Sequence, residues 1–349
     1  NNIDYISEKE LERKAQRDEA TQKALANDKR FSFEKAMSDS SFASNFKASN
    51  ALAESLENAM QNGYAYYLSG FVKEMDGDLS RALMAYKRVS EISPYNQYVK
   101  ADVQRLASEL GYNDTPATSS KRPNVIVFFE EGFAPHLSGF SFSFTSMPVL
   151  NNASVAGASI GGGKARGAMA VAAPNLPSVS AKFVLPYYSS ETLNASPSKP
   201  LLISIGDTKK QTQVVGDFCA LAACAFKERL PYIATRAAFR SILKATASAV
   251  AGNVAAKRTG QLGKFAVWLG AFLFTEASEQ PDLRSWLLAP RYGQIARFYH
   301  EPGEQTISFS HGGVTQEFST EIPESGTLFV HAISIPGRLI VNGVFLNFE

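Results

Sequence analysis

The stretch Asn62–Pro94, NGYAYYLSGFVKEMDGDLSRALMAYKRVSEISP, decides how the first third of this chain is read. Its apolar residues recur at helical spacing on both sides of Gly77, which predicts two antiparallel helices and a tight turn. Gly70 and Ala82 are small enough to let the two helices approach, and Tyr66 and Tyr86 fill the space around that contact. Asp78 stands where a cap for the second helix is needed, directly after the Gly77 turn. Pro94 stops that helix and opens the next segment.

The spacing of Tyr66, Gly70, Gly77, Ala82, Tyr86 and Pro94 is that of a tetratricopeptide-type repeat, a module that binds other proteins. On this reading Tyr64, Tyr67 and Phe71, with Glu74, occupy the positions that line the concave face, where exposed aromatics anchor a peptide or helix. The same side chains become core if neighbouring helices cover the groove. A helix near Ala51–Met60 precedes the repeat, and one over Asn96–Leu110 follows it, with Val99, Val103 and Leu106 on one face and Gly111 at its end. Further upstream, Ser7 and Glu10 form a capping box and Ile6 and Leu11 a hydrophobic staple, opening a charged, solvated helix.

The remaining texture divides the chain. Asn113–Pro123, NDTPATSSKRP, is a linker by composition. Asn124–Phe129 is a continuous apolar run suited to a buried strand, and Gly139–Thr145, GFSFSFT, alternates as a half-buried strand does. Asn151–Pro177, rich in Gly and Ala, reads as a long loop. Val179–Leu185 and Leu201–Ile205 read as further strands. Residues from Phe218 to about Ser278 read as an Ala-rich helical hairpin, with Pro231 opening a second helix and Gly260–Gly263 turning the chain into an apolar helix around Trp268. Gln294–Tyr299, Thr306–Ser310, Thr315–Thr320, Thr327–Ile333 and Leu339–Phe345 form a terminal β-module. The expected fold is α+β: a tetratricopeptide-like helical domain over 1–112, the linker at 113–123, and a mixed domain over 124–349. That mixed domain holds an antiparallel sheet, the hairpin at about 218–278 and the β-module at about 290–349.

Composition excludes little but orders the possibilities. The chain has 349 residues, 45% hydrophobic and 19% charged, enough for two domains. A net charge of +2, without a basic cluster interleaved with aromatics, argues against nucleic acid. Cys219 and Cys224 on one continuous helix point apart, and small buried hydrophobes describe them better than a disulfide does. Phe265–Phe274, FAVWLGAFLF, is too short to cross a bilayer of roughly 30 Å as a helix.

No catalytic constellation, metal site or cofactor site is expected. GGGKARG lacks a phosphate loop's first glycine, which is Ala158 here, and Ala165 follows Lys164 where a hydroxyl is required. His136, His300, His311 and His331 never pair at ligand spacing, although His300 and His311 flank a hairpin. Glu130 and Glu131 are adjacent, so one is expected to point outward and the other to cap or pair with a cation. An enzyme reading requires a pocket that collects Glu130, His300 and Arg284. Asp282, Arg284 and Trp286 alternate, and an Arg paired with Asp and stacked on Trp would make a structural corner.

The repeat, the run VIVFFEEGFAP at Val125–Pro135, KERLPYIATRAAFRSI at Lys227–Ile242 and PDLRSWLLAPRYGQIARFYHEPGEQTI at Pro281–Ile307 together resemble a family of bacterial cell-envelope proteins, often predicted lipoproteins. The resemblance implies export to the periplasm beside the outer membrane, with a lipid anchor upstream of Asn1. It implies no reaction. The expected function is that of a non-enzymatic scaffold or accessory subunit in a multimeric envelope machine, a secretion system or flagellar motor, whose partners are other protein subunits. The alternative is a regulatory lipoprotein that controls a cell-wall synthesis enzyme through the Tyr64, Tyr67 and Phe71 face.

Overall fold

A computed structural model describes residues 33–55, 61–112, 122–147, 166–172, 179–193, 197–238, 281–285 and 288–346, with single helical positions between 9 and 19 and at 240, 241 and 244. The capping box at Ser7, the apolar run around Trp268 and the indole of Trp286 lie outside the described residues. The chain folds into two compact units, each assembled from three separate segments. Unit 1 takes Asn1–Ala53, His136–Leu193 and Ala223–Ser285, and unit 2 takes Glu54–Pro135, Asn194–Ala222 and Trp286–Glu349.

Unit 1 is an aromatic core on a three-stranded sheet. Helices α1 (Phe33–Met37), α2 (Ser40–Ser44) and α3 (Lys47–Glu54) lead into strands β2 (Leu137–Met147), β3 (Arg166–Ala172) and β4 (Val179–Tyr188), followed by the short helix α7 (Ser190–Leu193). The sheet order is β3-β2-β4, with β2 parallel to β3 and antiparallel to β4. Asp39 caps α2 by accepting from the Ser41 and Phe42 amides. That cap directs Phe42 onto Phe142 and Phe140, with ring centres at 4.9 and 5.8 Å, and Phe46 packs on Phe140 and Phe226. The alternation of GFSFSFT is what presents Phe140 and Phe142 on one face. Strand β3 falls inside the stretch expected to be a long loop, which corrects that expectation; its short apolar run RGAMAVA pairs with β2 along its length. Helix α8 runs over 218–238, its first five residues counted with unit 2 and the rest with unit 1, without the break expected at Pro231. Proline forfeits one amide bond there, but its fixed φ is already helical. Cys219 and Cys224 sit on this helix as separate buried thiols.

Unit 2 has three layers. Helices α4 (Gly63–Met75), α5 (Leu79–Ile92) and α6 (Gln97–Glu109) cover one face of a five-stranded sheet of order β12-β11-β1-β8-β7. Its strands are β1 (Val125–Glu131), β7 (Gln213–Asp217), β8 (Tyr292–Phe298), β11 (Thr327–Ile335) and β12 (Arg338–Leu346). Strand β1 runs parallel to β11 and antiparallel to β8. The other face packs on a four-stranded sheet of order β10-β9-β5-β6, built from β5 (Leu202–Ile205), β6 (Thr208–Gln211), β9 (Gly303–His311) and β10 (Val314–Ile322). Because β1 is buried on both faces, NVIVFF is apolar at every position: Val125, Val127 and Phe129 enter the sheet–sheet core, and Ile126 and Phe128 enter the helix–sheet core.

This architecture overturns the expected tetratricopeptide-like domain. The helical hairpin itself is present: the Asp78 side chain accepts from the Arg81 amide, Gly77 adopts φ 77° in the turn, and a Cβ on Gly70 would stand 2.7 Å from the Tyr86 ring. It does not belong to a helical domain. Residues 1–53 go to unit 1, and α4–α6 share one core with Phe128, Val215 and Ile295 of the sheet. The concave face of the hairpin is filled by that sheet. Nor is 290–349 a separate β-module, since β8, β11 and β12 complete the sheet around β1 while β9 and β10 pair through β5.

Candidate functional site

Among the described residues of unit 2, three polar clusters involve the five-stranded sheet. The first lies between that sheet and the helices. Arg297, on the helix-facing side of β8, donates from Nη1 and Nη2 to the two carboxylate oxygens of Glu74 at 2.8 and 2.9 Å. Arg105 of α6 reaches Glu74 and Asp102, both at 2.9 Å, and Arg297 lies 3.1 Å from Asp102. The Tyr86 hydroxyl donates to Glu74 at 2.9 Å and the Tyr67 hydroxyl to Asp102 at 2.6 Å. Burial raises the carboxyl pKa of Glu74, but Arg297 and then Arg105 outweigh it and hold the group well below the usual carboxylate range. Burial first, and then the neighbouring carboxylate, pushes the Tyr67 hydroxyl far up, so it remains a donor. Two buried anions and two buried cations thus neutralise one another, with Arg122 reaching Glu74 and Glu109 reaching Arg105 at 3.3 Å from the margin, while the Nε of each buried arginine is left without a hydrogen bond among the described residues.

The second cluster stands at the end of β1. Glu131 accepts from Ser198 Oγ at 2.8 Å, from the Lys199 amide at 3.0 Å and from Gln294 Nε2 at 2.8 Å. Gln294 accepts in turn from Thr212 Oγ1 at 2.6 Å, and Thr212 receives the Leu201 amide. His311 Nε2 lies 3.7 Å from Glu131. A serine, a histidine and an acid are therefore neighbours, but the carboxylate stands between Ser198 and His311. Nucleophile activation needs the imidazole in that middle place. The arrangement pins the 198–201 segment to the sheet. In the third place, Glu130 accepts from Tyr64 Oη at 3.3 Å and lies 3.4 Å from His331 Nε2. Of the two roles expected for the paired glutamate, capping or pairing with Arg or Lys, Glu131 takes the first, accepting the Lys199 amide beside a hydroxyl and a side-chain amide.

The described residues among those singled out from sequence now have positions. Tyr64, Tyr67, Phe71 and Glu74 are brought together, but in the core: Tyr67 is fully buried, Phe71 stacks on Phe329, and Tyr64 packs edge-on against Phe128. No free binding face remains at these four. Glu130 and His300 of unit 2 are not collected, since Glu130 meets Tyr64 and His331 while the His300 ring contacts the Glu301 carbonyl. Asp282 and Arg284 do pair, at 2.6 and 2.8 Å, and those bonds hold the Asp282 carboxyl down to about 2. Both are solvent-exposed. His136 is exposed in unit 1, and the described residues contain no group of three or more potential metal ligands. No described helix is long and apolar enough to cross a membrane.

A cleft of about 490 Å³ beside β7 is lined by Tyr95, Asn96, Val214, Asp217 and Leu221 among others. Its carboxyl, Asp217, is committed to capping α8 through the Ala220 amide at 2.9 Å, and burial raises its pKa. The opposite margin of the sheet looks different. On β12, Ile340, Val344 and Phe345 are 40, 57 and 47% exposed. Leu68 and Val72, one turn apart on α4, are exposed as well.

Sequence reasoning missed Asp102, Arg105 and Arg297. A signal existed, because Asp102 stands three residues after Val99, and Arg105 one before Leu106, on the apolar face of α6. A charge in an apolar stripe announces a buried partner, though not which one.

No family model, curated protein or solved structure matches this chain.

Proposed function

We propose that this protein is a scaffold or accessory subunit that works by protein–protein contact within a multimeric assembly of the bacterial cell envelope, such as a secretion system or flagellar motor, and that it has no catalytic or cofactor role. The observation that carries the reading is the exposed apolar surface of β12, Ile340 and Val344 on one face and Phe345 on the other, on an edge strand of a sheet whose other side is held rigid by buried ion pairs. A rigid body with a sticky strand edge is suited to assembly. The buried polar clusters support the same view, because their charges are consumed in joining layers of unit 2. The periplasmic setting beside the outer membrane, and a lipid anchor upstream of Asn1, come from the resemblance of Val125–Pro135, Lys227–Ile242 and Pro281–Ile307. No observation favours the regulatory alternative, whose aromatic groove is core.

The test is recovery of the tagged protein from detergent-solubilised envelopes, with the native mass of the particle measured. A large particle of fixed stoichiometry is expected. Recovery alone, or with one cell-wall enzyme, would overturn the proposal.

A further inference from the structure

The two sheets of unit 2 have four edge strands, and three of them carry features that block pairing with another chain. Strand β6 is four residues long and shows Lys209 and Lys210 to solvent. Strand β10 exposes Glu317 and Glu321. Strand β7 is short, is bulged between Val214 and Gly216, and has its Gln213 and Val214 carbonyls taken by Asn96 Nδ2. Strand β12 has none of these. It runs nine residues in unbroken register with β11, contains no proline, and carries a single charge, Arg338, at its first position. No backbone bond joins its outer side to any described residue.

We propose that β12 pairs with β12 of a second copy, antiparallel and centred on Asn342, to make one continuous sheet across a two-fold axis. This rests on the reading of β12 as an interaction edge and names the occupant. The argument comes from the symmetry of RLIVNGVFL. The Pro336-Gly337 turn makes Ile335 and Arg338 a hydrogen-bonded pair, so Leu339, Val341, Gly343 and Phe345 direct their amides and carbonyls outward. The register that overlaps all nine residues places Asn342 opposite Asn342, and it is also the register in which those outward groups meet one another. It sets Ile340 against Val344 of the second copy, twice by symmetry, and Phe345 against Leu339. Every exposed large hydrophobe of β12 thereby gains an apolar cross-strand neighbour. The two Asn342 side chains face each other across the axis, where each amide can donate to the other's carbonyl. Moving the axis to residue 341 or 343 puts Asn342 opposite Ile340 or Val344 and loses these matches. An unrelated strand could satisfy the backbone, but the side-chain matching is a property of this sequence with itself.

The experiment is sedimentation velocity on the purified full-length protein over a wide concentration range. A monomer–dimer equilibrium is expected. Ile340→Lys/Val344→Lys places lysine opposite lysine, and dimerisation should weaken at least tenfold with an unchanged melting temperature. Mixing that variant with Ile340→Glu/Val344→Glu should restore a dimer containing one copy of each. Asn342→Cys should give a disulfide-linked dimer on mild oxidation, whereas Arg338→Cys, which faces Leu346, should not. A monomer at every concentration, or a dimer indifferent to the lysine pair, would overturn the proposal. Either result leaves the envelope-assembly reading to its own test, because a fixed-stoichiometry particle can be recovered from envelopes whether or not the purified chain dimerises.

Discussion

The five-stranded sheet has a closed side and an open side. At β7 and β8 the helices lie directly on the backbone. Gly63 of α4 is packed against the Val215 carbonyl, and a Cβ on Gly293 would stand 2.5 Å from the Tyr64 ring. Asn96 caps α6 with its oxygen and holds β7 with its nitrogen. Beneath them, Arg297 joins α4 and α6 to the sheet through four buried charges. At β12 no described helix lies on the strand in this way, although Phe318 of β10 packs on Gly343 from the sheet–sheet side, and its exposed residues include the apolar Ile340, Val344 and Phe345 beside Arg338 and Asn342. The difference separates two uses of one sheet. The closed side fixes the fold of unit 2, and the open side carries surface that the fold does not need. Substitutions on the two sides should therefore act on different observables.

The largest effect should come from Arg297→Met. It leaves Glu74 and Asp102 buried with one cation fewer, which costs about 3–5 kcal/mol of stability by the usual penalty for breaking a buried pair. Urea denaturation followed by circular dichroism measures it. A loss below about 1 kcal/mol would show that the cluster does not hold the closed side. The same cluster sets an acid limit. The folded Glu74 carboxyl titrates well below its unfolded value, so its stabilisation is fully present above the ordinary carboxylate range and is lost as pH falls from there toward the folded value. Urea midpoints should drop between about pH 5 and pH 3, and Arg297→Met should flatten that slope. An equal slope in both proteins would assign the acid sensitivity to other groups.

Gly293→Ala should come next, because its new methyl group meets the Tyr64 ring and the close seat of α4 is lost. About 1–3 kcal/mol is the usual cost of such overpacking. A Gly293→Ala protein as stable as the parent would show that α4 can shift freely. Asn96→Ala removes a cap and two bonds to β7 together, and a loss of about 1–2 kcal/mol is expected from the cap alone. Val344→Ser on the open side should change stability by less than about 0.5 kcal/mol. A larger loss would make β12 part of the closed structure and erase the contrast.

The local grammar of this chain was legible. Asp78, the spacing of Val99, Val103 and Leu106, and the alternation at Phe140 and Phe142 identified their helices and strand. The assembly was not legible. A repeat-like hairpin and a sheet-facing hairpin need the same small residues at the same spacing, since Gly70 meets Tyr86 in either case. What decides between them is what covers Tyr64, Tyr67 and Phe71, and that cover comes from Phe128 and Phe329, far along the chain. Arg297 was hidden for a related reason. In QIARFY it occupies an alternating strand position that normally faces solvent, and only the helices above β8 bury it.

The placement of β1 has a consequence for synthesis. Both of its neighbours, β8 and β11, are made long after it leaves the ribosome. Until they arrive, the apolar run from Val125 to Phe129 has two unpaired edges, and only its Ile126 and Phe128 face has earlier residues, those of α4–α6, to pack on. Such a strand is the kind that chaperones hold and that aggregation recruits. The contacts that close the sheet are long-range, so folding of unit 2 should be slow and should start only when the carboxyl-terminal strands exist. A ribosome stalled before Tyr292 would present a nascent chain that cannot yet fold this unit, however much of its helical layer has formed.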